Sequence, residues 1–362
     1  MQKMKNFFEK EEVRKLINKI KKELSSAFRP LFFFHDDCDG ICSFLILYKI
    51  LPQAEKPYVI VKSDPYVDKR FIGKLRYANP DKVVVLDLAD IKQSFLERSN
   101  QHIIWLDHHG PAEKKNNRIL YLNPRLYGCN YPVSALCYEI AGKPENLLWI
   151  ATIGCIADWH VPDFFPLFLK RYPDLAEQRP IGDIIYKTKL GKIIRILSFA
   201  LMGRSKEAYP YIEHIKKLQS PYELLNAETS HARIILKKYE RINKEYQSLF
   251  ARVLKNIKKQ RERQLFLFTY SNAKYSLTKE LANELIYLFP EKIIIIGREK
   301  NSEISLSLRA RKLDLRKAIS YSLKGLCGYG GGHECAAGAT IKKSDFSLFL
   351  ERLETFMSQH RQ

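Results

Sequence analysis

The sequence predicts an α/β protein: a parallel-sheet domain over residues 1–180, a basic helical bridge over 181–263 and a smaller α/β domain over 264–362. Three observations predict it. From Leu31 onward, short continuous apolar runs alternate with helical stretches, the pattern of buried parallel strands joined by helical crossovers. Three of those runs end in Asp or His, where sites form in such sheets. At 362 residues the chain exceeds a single hydrophobic core.

Taken in order, residues 1–28 read as an amphipathic helix. LFFFH, YVIVK, KVVVLDLA and HIIWLDHH follow as strands, with ICSFLILYKIL and FIGKLRYA as helices between them. VSALCYEIAG and ENLLWIATIGCIADW read as helices, after which Pro162, Pro166, Pro173 and Pro180 interrupt the pattern and mark the end of the first domain. Residues 187–263 hold 19 Lys or Arg against 7 Asp or Glu, more than half of the net charge of +21. Within that stretch, residues 228–263 contain no Pro or Gly, and Ile235, Tyr239, Ile242, Tyr246, Leu249 and Val253 form a heptad seam. The seam predicts one long helix of roughly 50 Å, expected to pack as a linker in preference to pairing with a second subunit. After Gln264 the pattern is strand LFLFTY, helix TKELANELIYLF, strands KIIIIG and EISLSLRA, helix DLRKAISYSLKGL, a Gly-rich loop, strand GATIK and helix DFSLFLERLETFM.

The excess of cations points to a polyanionic partner, nucleic acid first among them. Seven cysteines without a Cys-x-x-Cys pair suggest reduced thiols. The N-terminus has no apolar core like that of a signal peptide, and no run reaches about 18 apolar residues, so a cytoplasmic, soluble protein is expected.

The chemistry concentrates at the strand ends. His35, Asp37 and Asp39 alternate after LFFF, so they can converge, and Gly40 permits a tight turn into the next helix. Asp87 ends KVVVLD, with Asp90 close by, and Asp107-His108-His109 ends HIIWLD. Asp158 stands in an apolar helical stretch, where an unpaired carboxylate is expensive and a cation would offset the cost. Any one of these has an ordinary explanation as a helix cap or hydrogen-bonded residue, and for Asp90 that explanation weighs equally. Carboxylate and imidazole donors without thiolate suit manganese or magnesium better than structural zinc.

The segments H-D-D-C-D-G-I-C-S, V-V-L-D, L-D-H-H-G and I-G-C-I-A-D resemble, in order, the four motifs of the DHH superfamily of phosphoesterases. C-G-Y-G-G-G-H-E-C-A-A-G-A, with S-L-R-A-R before it, resembles the DHH-associated substrate-binding domain of RecJ-type exonucleases, with the archaeal forms nearest. The resemblance implies two divalent ions, manganese in preference to magnesium: His35, Asp37 and Asp87 would hold one metal and Asp39, Asp87, His108 and Asp158 would hold the other. Asp107 would support the catalytic site, and His109 would contact the scissile phosphate. Arg309, Gly330, Gly331, Gly332 and His333 would bind substrate, Arg311 more weakly, and Ser43 would be structural. The Gly run lacks the Gly-Lys-Ser/Thr ending of a P-loop.

Three functions are compatible with this. A RecJ-like exonuclease on single-stranded DNA or RNA is favoured by the basic bridge, where Tyr209, Tyr211, Tyr222, Tyr239 and Tyr246 lie among Lys and Arg as candidate stacking platforms. An oligoribonuclease or nucleotide-phosphate phosphatase would need no long groove. A non-catalytic replication or repair scaffold is disfavoured because none of the four motifs is broken. The family also raises a replication or repair protein partner and a homo-oligomer as expectations.

Overall fold

The computed structural model describes residues 7–52, 55–62, 65–112, 116–260, 263–271 and 273–360. The chain divides into two compact units, Met1–Tyr239 and Glu240–Gln362.

In the first unit the strands are β1 (Leu31–His35), β2 (Tyr58–Val61), β3 (Tyr66–Val67), β4 (Lys82–Leu86), β5 (Asp90–Ile91), β6 (His102–Leu106) and β7 (Ile119–Leu122). Five form one parallel sheet in the order β2-β1-β4-β6-β7, and β3 pairs with β5 in a short parallel ribbon. The two-residue period of a strand sorts the apolar residues between two cores. Phe32, Phe34, Val84, Leu86, Ile104 and Leu106 face one core, which holds the helices Glu11–Ser25, Cys38–Ile50, Val133–Ile140 and Leu148–Ala157. Leu31, Phe33, Val83, Val85, Ile103 and Trp105 face the other. Both faces are covered, which is why these strands are continuous apolar runs.

The expected N-terminal helix is shorter than 1–28: the described part has a 3-10 turn at Phe7–Glu9 and a helix at Glu11–Ser25, and residues 1–6 lie outside the described residues. The helices between Ile181 and Asn226 pack Ile184, Ile193, Leu197, Ile212 and Leu224 into the first core and carry their cations on the outer face. The long helix runs Ser230–Lys259, and the unit boundary falls inside it. Ile235, Ile242, Tyr246, Leu249 and Val253 are buried within this one chain.

The bridge tyrosines depart from the sequence expectation. Tyr209, Tyr211, Tyr222 and Tyr239 pack against the first core, and Tyr246 is buried with its hydroxyl donating to Glu284 at 2.5 Å. Four are half-buried and one is buried, and the Tyr209 and Tyr222 hydroxyls also donate, to the Tyr58 carbonyl and to Asp174, so these rings are at least partly engaged in packing.

The second unit contains β8 (Leu265–Tyr270), β9 (Ile293–Lys300), β10 (Glu303–Arg309), β11 (Gly328–Gly332) and β12 (Ala336–Lys342), ordered β11-β12-β10-β9-β8. Only β8 and β9 are parallel. The Gly-rich segment, expected as a loop, is the edge strand β11, paired antiparallel with β12. Glycine is required there: a Cβ on Gly330 would lie 2.8 Å from the Gly338 carbonyl oxygen, and one on Gly332 2.5 Å from that of Ala336. Among the described residues no helix is long and apolar enough to cross a membrane.

Candidate metal centre

The site forms where the carboxyl ends of β1, β4 and β6 meet, beside the point at which the strand order reverses between β1 and β4. The chain leaves β1 at His35 and turns at once into the helix Cys38–Ile50, capped by the Asp37 carboxylate, which accepts from the Gly40 N–H at 3.1 Å. Asp87 follows β4 with a left-handed φ of 57°, a strained conformation for a residue with a Cβ. Its N–H is fixed on the Leu106 carbonyl at 3.0 Å, and the Asp107 N–H is fixed on that of Leu122 at 3.2 Å. Asp158 caps the C-terminus of the helix Leu148–Ala157.

These positions bring seven of the candidate side chains together. Three groups have ligand atoms within 4.8 Å of one another: His35, Asp37 and Asp87; Asp39, His108 and Asp158; and Asp87, His108 and His109. Asp87 touches both sides, with Oδ2 3.5 Å from His35 Nδ1 and Oδ1 3.3 Å from His108 Nε2. His35 Nδ1 also lies 3.0 Å from Asp37 Oδ2, and His108 Nδ1 lies 3.5 Å from Asp158 Oδ2. Asp39 is buried and accepts from the Val133 and Ser134 N–H groups at 2.7 and 2.8 Å, so it also holds the start of the helix Val133–Ile140.

Asp107 is placed differently. Fully buried, it accepts from His109 Nδ1 at 2.7 Å, from the His109 N–H at 3.2 Å and from the Asn123 amide at 3.2 Å. Asp90 lies in β5, paired with Lys92 at 2.7 Å, and belongs to none of the three groups. Ser43 is buried in the helix Cys38–Ile50.

Four of these groups gain proton affinity: Asp39 and Asp158 from burial and the neighbouring carboxylates, His35 and His108 against burial, from the neighbouring carboxylates. Burial works against a charge on His108, yet Asp87, Asp158 and Asp39 outweigh it and push its pKa up to about 10. His35 behaves alike: burial lowers its pKa, and Asp37 and Asp87 bring it well above the ordinary value. Burial, then Asp87 and Asp158, raise Asp39 well above the carboxylate range. Burial, opposed by His108 and aided by Asp87 and Asp37, raises Asp158 to about 6.

Divalent cations fit this donor set. His35 Nδ1, Asp87 Oδ1 and His108 Nδ1 are buried and meet neighbouring groups of the cluster at 3.0 to 3.5 Å without well-aligned hydrogen bonds, an arrangement that a cation between them would satisfy better. Oxygen and imidazole donors are the ones that manganese and magnesium take.

In the second unit, Arg309 donates from Nε to Asn283 Oδ1 at 2.5 Å and from Nη1 to the Leu308 carbonyl at 2.7 Å. Gly330, Gly331 and Gly332 lie exposed in β11, and the His333 N–H closes the turn onto Ala336 at 2.7 Å. Arg311 is exposed.

Two residues escaped the sequence reading. Asn123, fully buried, donates its amide toward Asp107, the His109 carbonyl (3.0 Å) and the Tyr121 hydroxyl (2.7 Å). Arg125 donates from Nε to the His108 carbonyl at 2.5 Å. Asn123 directly follows β7, so the strand-end rule that found the other residues would have found it had ILYL been read as a strand.

Comparison with known proteins identifies the domains and the fold. The DHH family N-terminal domain matches residues 31–158, and the DHHA1 domain matches residues 262–359. An uncharacterized protein of Methanocaldococcus jannaschii is 22% identical over 96% of this chain and 98% of its own. RecJ from Thermus thermophilus, solved in complex with Mn2+, superposes with a TM-score of 0.70 at 14% identity, over 98% of this chain and 56% of that one. This chain thus spans little more than half the length of that protein. An exonuclease RecJ bound to manganese gives 0.61 at 16% identity over 95% and 94% of the two chains. A DHH domain described as a member of a family of ribosomal proteins gives 0.65 at 16% over 97% and 93%. At such identities the likeness is one of fold.

Proposed function

We propose, for a chain that belongs to the DHH superfamily and carries a C-terminal DHHA1 domain, that it is a two-metal phosphodiesterase acting as a RecJ-like exonuclease on single-stranded DNA or RNA. The observation that carries the reading is Asp87, whose two carboxylate oxygens face separate groups of donors. On this reading His35, Asp37 and Asp87 would hold one cation and Asp39, Asp87, His108 and Asp158 would hold the second, with Asp87 serving both. When bound, such a pair lowers the pKa of water and neutralises charge on the phosphoryl oxygens.

The chain's own residues position the substrate. With Nδ1 held by Asp107, His109 presents Nε2 toward the scissile phosphate, and Asn123 keeps Asp107 and the His109 backbone in register. Arg309, the β11 glycines and His333 are assigned to substrate phosphate or the terminal nucleotide, since exposed glycine backbone admits a close anionic approach. The net charge of +21 favours a polyanionic substrate.

The packing of the bridge tyrosines, four half-buried and Tyr246 buried, favours a second reading, cleavage of short oligonucleotides, because it leaves fewer open rings for a long strand to stack on.

The deciding experiment incubates the protein with manganese and strands of DNA and RNA of ~3 and ~30 nucleotides, labelled at either end, beside Asp87→Ala; this range separates a groove reading several bases from one that does not. Stepwise loss of the long strand in the wild type alone supports the exonuclease and gives its polarity. Cleavage of the short strand alone supports the second reading. Metal-dependent turnover retained in Asp87→Ala rejects the assignment of the site.

A further inference from the structure

Trp159 directly follows Asp158 and closes the helix Leu148–Ala157 in a Schellman motif. With Asp158 as the cap, the Trp159 N–H donates to the Ile156 carbonyl at 3.1 Å and the His160 N–H donates to that of Cys155 at 2.9 Å. The motif needs a left-handed residue after the cap, and Trp159 supplies it at a φ of 57°. Glycine takes that conformation without steric cost, whereas any Cβ meets the backbone there.

Packing covers only part of the ring. The other two tryptophans, Trp105 and Trp149, are 0% and 2% exposed, while Trp159 is 41% exposed. Its aromatic neighbour is Tyr186, with centroids 6.3 Å apart and planes at 57°, which is no stacked pair. A large, partly exposed ring on left-handed backbone, one residue from the candidate metal centre, is placed to meet a ligand bound there.

We propose that Trp159 is a nucleobase platform, its indole stacking on the base of a nucleotide whose phosphodiester lies at the metal centre. This deepens the nucleic-acid reading above and rests on it. Every phosphate of a strand carries a base beside it, and the π-face of a base is what an exposed indole recognises without regard to sequence. The substrate is therefore base-bearing, and a bare polyphosphate or sugar phosphate would leave the platform unused.

The test uses the full chain with calcium, phosphorothioate oligothymidylate of about ten nucleotides, comparable to the site of one binding module, and an abasic strand of the same length. Because Trp159 is the exposed indole of the three, its emission reads stacking directly. Oligothymidylate is expected to quench that emission and the abasic strand to leave it. Trp159→Gly is expected to weaken oligothymidylate binding roughly 5- to 100-fold and to leave abasic binding unchanged. Trp159→Phe should recover part of the affinity. Equal losses on both strands, or no loss on either, would each overturn the platform while leaving the nuclease reading intact. A wild-type chain that binds neither strand would overturn both.

Discussion

Replacing Gly40 by Ala sets two effects against each other. Gly40 lies in the first turn of the helix Cys38–Ile50, where alanine is the better helix former by about 1 kcal/mol. A Cβ at this position would lie 2.3 Å from the His35 carbonyl oxygen and 2.9 Å from its carbon, against an ordinary contact near 3.4 Å. The helix start and the end of β1 would have to separate by roughly 1 Å, and neither is free to move. β1 is held in register between β2 and β4, and residues 38–47 are all buried. Overpacking of this kind costs about 1–3 kcal/mol, so the clash outweighs the helix propensity and the sign is destabilising. The same displacement moves Asp37 and Asp39 away from Asp87, whereas metal–donor distances tolerate about 0.2 Å. We expect a melting temperature several degrees lower and manganese affinity at least about tenfold weaker, in line with disturbed supporting shells. Thermal denaturation without metal and calorimetric titration with manganese measure the two separately. An unchanged melting temperature with unchanged affinity would refute the argument that close approach of helix to strand builds the site.

Three further outcomes follow from the same geometry. Without metal, His108 titrates near 10 and Asp158 near 6, above the 6.5 and 3.8 of the unfolded chain, so these groups stabilise the metal-free fold at low pH. The Asp158 share is full below 3.8 and is lost as pH rises through about 6; the His108 share is full below 6.5 and is lost as pH rises through about 10. Metal-free stability should therefore fall as pH rises, while manganese binding should tighten and release protons; calorimetry at pH 7.5 in two buffers of different ionisation enthalpy should detect that release, and none would count against the ligand set. Asp107→Asn should lower kcat about 10- to 100-fold with little change in manganese affinity, because the lost acceptor orients His109; equal activity in steady-state assays would remove Asp107 from the catalytic arrangement. Gly331→Ala should leave the melting temperature unchanged, since nothing lies within 4 Å of its Cβ, yet raise KM if β11 meets substrate; an unchanged KM would leave that glycine without a binding role.

The strands and the cluster were legible because both are written locally. A buried parallel strand is a continuous apolar run, and a strand-end Asp or His needs no knowledge of distant partners to be noticed. Parts that depend on tertiary pairing were not legible. Gly328–Gly332 carries no strand propensity, and only the ladder with β12 makes it an edge strand. The bridge tyrosines read as exposed because Lys and Arg surround them in sequence, but the helices turn those cations outward and the rings inward. Asp39 looked like a ligand alone, yet its carboxylate also holds the backbone at Val133 and Ser134, 94 and 95 residues away.

That double duty bears on how the centre works. Four carboxylates are gathered on a chain whose net charge is +21, so the field that attracts a polyanion from a distance reverses sign at the site itself. Protons on His35 and His108 answer part of that local charge, which is why their pKa values rise against the pull of burial. A divalent cation would answer that charge more fully than protons, because it takes oxygen and imidazole donors from several of these residues at once. Metal occupancy should thus govern substrate affinity as well as turnover: without cations the carboxylates repel the scissile phosphate, and with them the same carboxylates hold the charge that draws it in.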